Sequence, residues 1–189
     1  MEQEANRFNI TERVIQSRII HLFGEINGDV AKYVCTLLPI LDDDDPEKPI
    51  HIYINSGGGC VHSGNAIISA MELVNAPVYT YNLSMAASMA AVILSCGKKR
   101  YATERSWTMI HRVSGGAEGN IQDVMKTIEH MNNLNDDLTD LMVQNSKISK
   151  EEYNKLTERD YWMRPEEARE KGFIDEVLTK QYLEKMKNK

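Results

Sequence analysis

Val78-Tyr79-Thr80-Tyr81-Asn82 runs through Leu83-Ser84-Met85-Ala86-Ala87 into Ser88-Met89-Ala90-Ala91-Val92-Ile93-Leu94. The first five residues predict a strand, rich as they are in β-branched and aromatic side chains. The apolar run from Ala90 to Leu94 predicts a helix. Ser88 therefore stands at a strand-to-helix junction, where a helix N-terminus favours negative charge that develops nearby. A lone serine among alanines has a commoner explanation, since it usually packs on a helix.

Outward from this junction the same alternation repeats. Arg18 to Gly24 reads as a buried strand ended by glycine. Asn27-Gly28-Asp29 supplies a helix start for the apolar spacing from Val30 to Leu41. Ile50 to Asn55 is a second strand, broken at Ser56-Gly57-Gly58-Gly59, with a helix from about Ser63 to Val74. After Ser88 and its helix, Arg100–Thr103 and Trp107–His111 read as short strands. A flexible stretch, Gly115-Gly116-Ala117-Glu118-Gly119, precedes a long amphipathic helix from about Ile121 to Gln144. Lys150–Leu156 is helical, Pro165 opens a short helix, and Gly172 to Leu178 closes the fold in a strand. Strands that alternate with helices predict an α/β class with crossover units. One domain over 1–189 is the expectation, with loose ends at 1–9 and 180–189. Asp42 to Asp45, followed by Pro46, reads as a solvated loop; consecutive carboxylates do not converge on one ion.

The composition narrows the function. A formal net charge of −6 argues against nucleic acid as the main partner. Cys35, Cys60 and Cys96 make neither a disulfide framework nor a metal-binding pair, which suits a reducing compartment. The polar, acidic Met1-Glu2-Gln3-Glu4-Ala5-Asn6-Arg7 lacks a signal-peptide pattern, and no apolar run reaches membrane-span length. A cytoplasmic protein without membrane contact follows as the expectation. His21, His51, His62 and His130 are scattered singly, so no metal is expected.

Ser88 has two partners of the right chemistry. His111 ends Trp107-Thr108-Met109-Ile110-His111, and Asp160 lies in Glu158-Arg159-Asp160-Tyr161-Trp162-Met163. A hydroxyl needs a base to become a nucleophile, and the base needs an acid to orient it. The chain order Ser, His, Asp matches neither the α/β-hydrolases nor the chymotrypsin or subtilisin orders. The Met89 N–H beside the nucleophile can donate to an oxyanion, as can an N–H of the Gly57–Gly59 turn, where no Cβ intrudes. Taken singly, Ser88 reads as a packing residue, His111 as a strand-end histidine, and Asp160 as a turn or cap. Residue types and spacing alone leave the hydrolase and these structural readings both open.

Several blocks nevertheless resemble ClpP, the proteolytic subunit family of the Clp protease. They are Tyr53-Ile54-Asn55-Ser56-Gly57-Gly58-Gly59, Met85-Ala86-Ala87-Ser88-Met89, Met109-Ile110-His111, Gly115–Gly119, and Glu158 to Met163, together with Arg18-Ile19-Ile20, Glu166-Glu167-Ala168 and Gly172 to Val177. They fall in register over about residues 10 to 178. The resemblance implies a ClpP/crotonase-type fold of stacked βαβ units with a protruding handle helix. It implies Ser88 as nucleophile, His111 as general base, Asp160 as its orienter, and Gly59 and Met89 as oxyanion donors. It further implies a homo-oligomer of two stacked heptameric rings, with helix 121–144, Gly58, Gly115 and Gly116 at substrate-binding or assembly positions and Arg159 at the ring contact. A Clp-type AAA+ unfoldase would spend the ATP and feed unfolded protein or peptides into the chamber. This chain itself would need no cofactor. Tyr53 and Tyr81 would line a docking groove for that partner.

The chain also departs from the family pattern. Gly57 stands where a proline is usual, Ser84 where a glycine is usual, and Arg112-Val113 follow His111 in place of Gln-Pro. The segment that forms axial pore loops in the family is about ten residues shorter here by the same comparison. These changes point to a divergent member. Other readings are a phage-type processing protease of the same family, a crotonase-like acyl-CoA enzyme on the same fold, and a noncatalytic ring subunit.

Overall fold

The structure is a computed structural model that describes Arg13 and residues 16–181. Of the expected loose ends, 1–9 and 182–189 lie outside the described residues, and Lys180 and Gln181 are helical. In chain order the elements are β1 (Ile19–Phe23), α1 (Gly28–Asp44), β2 (Ile50–Ser56), α2 (Val61–Leu73), β3 (Val78–Ala87), α3 (Met89–Ser95), β4 (Lys99–Thr103), β5 (Trp107–Ile110), α4 (Ile121–Gln144), α5 (Lys150–Leu156), β6 (Tyr161–Met163), α6 (Pro165–Glu170) and β7 (Glu176–Leu178). The order β1-β2-β3-β4-β7 forms a parallel sheet, as the alternating pattern predicts. This is the mixed α/β architecture expected of the ClpP fold.

Local sequence explains the elements. Asn27 caps α1 by accepting from the Asp29 and Val30 N–H groups at 3.1 and 3.0 Å. Asn120 and Ser149 cap α4 and α5 in the same way. Alternate residues of β2 are buried, placing Ile50, Ile52 and Ile54 under the helices. Their neighbours His51 and Tyr53 face the other side, where Tyr53, Tyr79, Tyr81 and Tyr101 make edge and stacked ring contacts. The His51 Nδ1 lies 2.8 Å from the Tyr81 hydroxyl.

Four elements differ from the sequence expectation. Of the strand expected from Gly172 to Leu178, only Glu176–Leu178 forms, because only these residues pair with β4. Asp42–Asp44 form the last turn of α1 instead of a loop, because Asp42 accepts the Asn75 and Ala76 backbone N–H groups at 3.0 and 2.7 Å. Strand β3 continues past Asn82 to Ala87, since its far end finds a new neighbour, β5. Tyr161–Met163 forms β6, antiparallel to β5; so short a strand carries no periodicity of its own to be read.

Two arginines pin the frame. The buried Arg18 donates to the Leu41, Asp45, Lys48 and Pro49 carbonyls, gathering the end of α1 and the loop behind it. Arg100 joins β4 to the last strand. Its backbone N–H and guanidinium bind Asp175, and Nη1 reaches the Asn145 and Gly172 carbonyls. Burial opposes the charge on Asp175, but the hydrogen bonds and charge of Arg100 outweigh it and hold the carboxyl below its usual range. The contribution to stability is therefore complete above the ordinary aspartate value of about 4 and is lost as pH falls through the lower folded value. Urea unfolding of the parent protein and Asp175→Asn at pH 7 and pH 3 checks this. The parent is expected to be more stable at pH 7, with the gap narrowing at pH 3. An equal gap at both values refutes the linkage.

Candidate active site

The site is assembled by strand register. β5 runs parallel to the end of β3, with Met85 opposite Trp107 and Ala87 opposite Met109. The Ser88 N–H continues the ladder by donating to the Met109 carbonyl at 2.9 Å. β6 lies antiparallel to β5, with Thr108 opposite Met163 and Ile110 opposite Tyr161. One further step along that register sets His111 against Asp160. The result is a chain of contacts in which His111 Nε2 lies 2.8 Å from Ser88 Oγ and Nδ1 lies 3.3 Å from Asp160 Oδ1. The imidazole is 24% exposed and the carboxylate 61%, so the chain opens to solvent at its acidic end.

Ser88 holds a backbone conformation that L-residues rarely adopt, φ 56 and ψ −127. The sharp reversal ends β3 and starts α3, whose residues Met89 to Ser95 are all buried. It lifts the hydroxyl off the sheet. The Ser88 carbonyl accepts the Ala91 N–H at 2.9 Å, while Met89 holds the first helical position.

Gly58 and Gly59 approach this turn closely. A Cβ on Gly58 would stand 2.7 Å from the Ser88 Cβ and 2.8 Å from the Ala87 carbonyl oxygen, and its φ is +97. A Cβ on Gly59 would stand 2.3 Å from the Ile26 carbonyl oxygen, with φ at +148. Ile26 pairs with Gly59 in a parallel bridge, taking the Gly58 carbonyl and the Cys60 N–H at 2.8 Å each. That pairing turns the Gly59 N–H to the opposite side. Ser56, buried, accepts the Gly58 N–H at 3.1 Å and fixes the turn.

Gly59, Ser88, Met89 and His111 line one cavity of about 70 Å³, closed further in by Val92, Leu138 and Met142. Its wall also carries Tyr153, whose phenol burial pushes up to about 12, so that it stays neutral. Five of the residues singled out in the sequence thus come together: Ser88, His111, Asp160, Gly59 and Met89, with Gly58 directly behind. Gly115 and Gly116 lie apart, exposed along a second groove with Val124, Ile128 and Met131. Arg159 is exposed beside Asp160 on an open face shared with Arg112 and Glu158. Ser56 and Asn135 were not foreseen. Ser56 had a legible signal, a serine two residues before a glycine in a turn. Asn135 is a polar residue on the apolar stripe that includes Met131, Leu138 and Met142 of α4. Among the described residues no group of three or more His, Cys, Asp or Glu is placed to hold a metal ion. No described helix is long and apolar enough to cross a membrane.

Gly58→Ala should strain the turn and drive a methyl into Ser88. The expected loss is about 2 kcal/mol of stability, with Ser88 displaced from His111. Thermal unfolding and the rate of Ser88 alkylation by a fluorophosphonate measure the two effects. An alanine variant that melts and labels like the parent refutes the close-approach account.

A family model described as Clp protease matches residues 2–181. A match over nearly the whole length of the chain places it in the Clp protease family, and hence among the ClpP-type serine peptidases.

Proposed function

We propose that this peptidase is a serine endopeptidase that works through Ser88, His111 and Asp160 and an acyl-enzyme. The observation that supports it most directly is the 2.8 Å contact between Ser88 Oγ and His111 Nε2. In this reading His111 takes the Ser88 proton as Oγ attacks the scissile carbonyl carbon. The Gly59 and Met89 N–H groups hold the oxyanion. The protonated imidazole then gives its proton to the departing amine, leaving an ester on Ser88. Water then attacks that ester as His111 takes its proton, and the imidazolium returns the proton to Ser88 Oγ as the acid product leaves. Asp160 keeps Nδ1 protonated and supports the imidazolium. No cofactor or metal enters these steps.

The assembly belongs to the same proposal. A nonspecific peptidase is safe in a cell only when its sites are enclosed. Ile121, Met125 and Ile128 expose an apolar stripe on the outer half of α4, at 76, 65 and 50%. Such a stripe suits burial against another subunit. Two stacked heptameric rings joined through α4 and Gly115–Gly119, with Arg159 nearby, fit it. The aromatic face of Tyr53 and Tyr81 suits a Clp-type AAA+ unfoldase that spends ATP to deliver unfolded chains, and the cytoplasm suits the free cysteines. A crotonase-like acyl-CoA role leaves the Ser88–His111 contact without a purpose, and a noncatalytic scaffold does the same.

Intact mass after treatment with a fluorophosphonate is the test. One adduct is expected on the parent protein and none on Ser88→Ala. Asp160→Asn should slow labelling about 10⁴-fold. Labelling that survives in Ser88→Ala, or is unaffected by Asp160→Asn, overturns the proposed roles.

A further inference from the structure

Two cavities share part of their lining just past His111. The inner one, about 70 Å³, opens on Ser88 and Met89 and ends against Leu138 and Met142. The outer one, about 380 Å³, lies between Gly115–Ala117 and the α4 side chains Val124, Ile128 and Met131. Only Arg112, Val113 and Asn135 line both. Between the last two runs a hydrogen bond: the Val113 N–H donates to Asn135 Oδ1 at 3.2 Å. This bond stands between a site with room for about two waters and a groove several times larger that presents Val124, Ile128 and Met131 on its α4 side.

Each half of the bond is a departure from what its position suggests. Where the family usually has proline, Val113 brings an N–H that needs a partner. Asn135 interrupts the apolar stripe of α4 and meets that need. Arg112 also borders both cavities, but its guanidinium turns to the Asn154 carbonyl at 3.3 Å and takes no part in the bond.

We infer that the Val113–Asn135 hydrogen bond is a specificity gate, and that Asn135 sets the size of the substrate side chain accepted beside Ser88. Closed, the gate confines the residue on the acyl side of the cut to a small aliphatic side chain. Open, the inner cavity runs into the larger groove beside Val124, Ile128 and Met131 and admits an aromatic one. The inference rests on the peptidase reading above.

The test uses the assembled full-length protein and two peptidyl aminomethylcoumarins that differ only in alanine or phenylalanine next to the cleaved bond. The readout is the ratio of kcat/KM for the two, because any change in the shared chemistry cancels in it. The parent should prefer alanine. Asn135→Ala should shift the ratio toward phenylalanine by about tenfold, the scale on which a hydrophobic pocket discriminates by size. Asn135→Asp, which keeps an acceptor for the Val113 N–H, should return the ratio toward the parent value. Val113→Pro removes the bond from the other side and should act like Asn135→Ala, which guards against an alanine variant that fails to fold. A ratio that moves less than about twofold in both the Asn135→Ala and Val113→Pro variants overturns the gate. If the parent neither cleaves the peptides nor takes a fluorophosphonate on Ser88, the peptidase reading falls, and the gate with it.

Discussion

A strand can hydrogen-bond one neighbour on each edge at a time, and β3 spends one edge on two neighbours in succession. Tyr79 to Asn82 pair with β4, and Met85 to Ala87 pair with β5. On the opposite edge, Ile54 pairs with Asn82 and Ser56 with Ala86, so β3 uses four steps where β2 uses two. The surplus bends the strand away from the main sheet. Buried Asn82 fills the fork, donating to the Trp107 carbonyl and the Thr108 hydroxyl at 2.9 and 3.2 Å. Ser88, His111 and Asp160 all lie downstream of this fork. Without it, β5 would have no edge to join, and neither His111 nor Asp160 would reach Ser88.

The strained turn at Ser88 depends on what surrounds it. A positive φ at a non-glycine residue costs on the order of 1–3 kcal/mol and persists only where neighbouring structure overdetermines it. Here the determination comes from both directions. Behind Ser88, the ladder to Met109 fixes where the strand must end. Ahead of it, α3 is buried along its whole length, so the helix cannot swing to relieve the turn. Gly64 on α2 makes room for this: a Cβ there would stand 2.2 Å from the Met89 side chain. The helix sits close, the turn stays sharp, and Gly58 fits beneath it where no larger residue would.

Much of this was legible in the chain. Alternation in Ile50–Asn55 and the apolar spacing of Val30–Leu41 report burial directly, because burial on one face is what imposes a period. Asn27 and Pro165 mark helix starts by chemistry that needs no tertiary contact. Ser88, His111 and Asp160 were identifiable as residue types, and the resemblance assigned them to one site. What could not be read is what depends on partners distant in sequence. Nothing within Leu83–Ala87 says that β5 will extend β3, and nothing within Tyr161–Met163 says that β6 will pair with β5. The helical place of Asp42 similarly rests on Asn75 and Ala76, far along the chain. The bond between Val113 and Asn135 spans the whole loop before α4 and leaves no periodic trace.

The least secured member of the site is Asp160, and the structure compensates for that on the outside of the β5–β6 ribbon. Three paired positions set the register that opposes His111 to Asp160. A slip of one residue would send every side chain of β6 to the wrong face. So short a ladder is weak by itself. On its outer surface Trp107 and Trp162 meet edge to face at 6.5 Å, and the Arg164 guanidinium lies 3.9 Å over the Trp107 ring. These contacts join the start of β5 to the end of β6, where aromatic and cation–π contacts each add of the order of 1 kcal/mol. They also explain why two tryptophans remain 37 and 45% exposed: their work is to hold register, not to fill the core. Buried Met163 and Pro165 anchor the same segment from within. The alignment of Asp160 with the imidazole is thus set at the far end of the ribbon, by groups that never touch the reacting atoms.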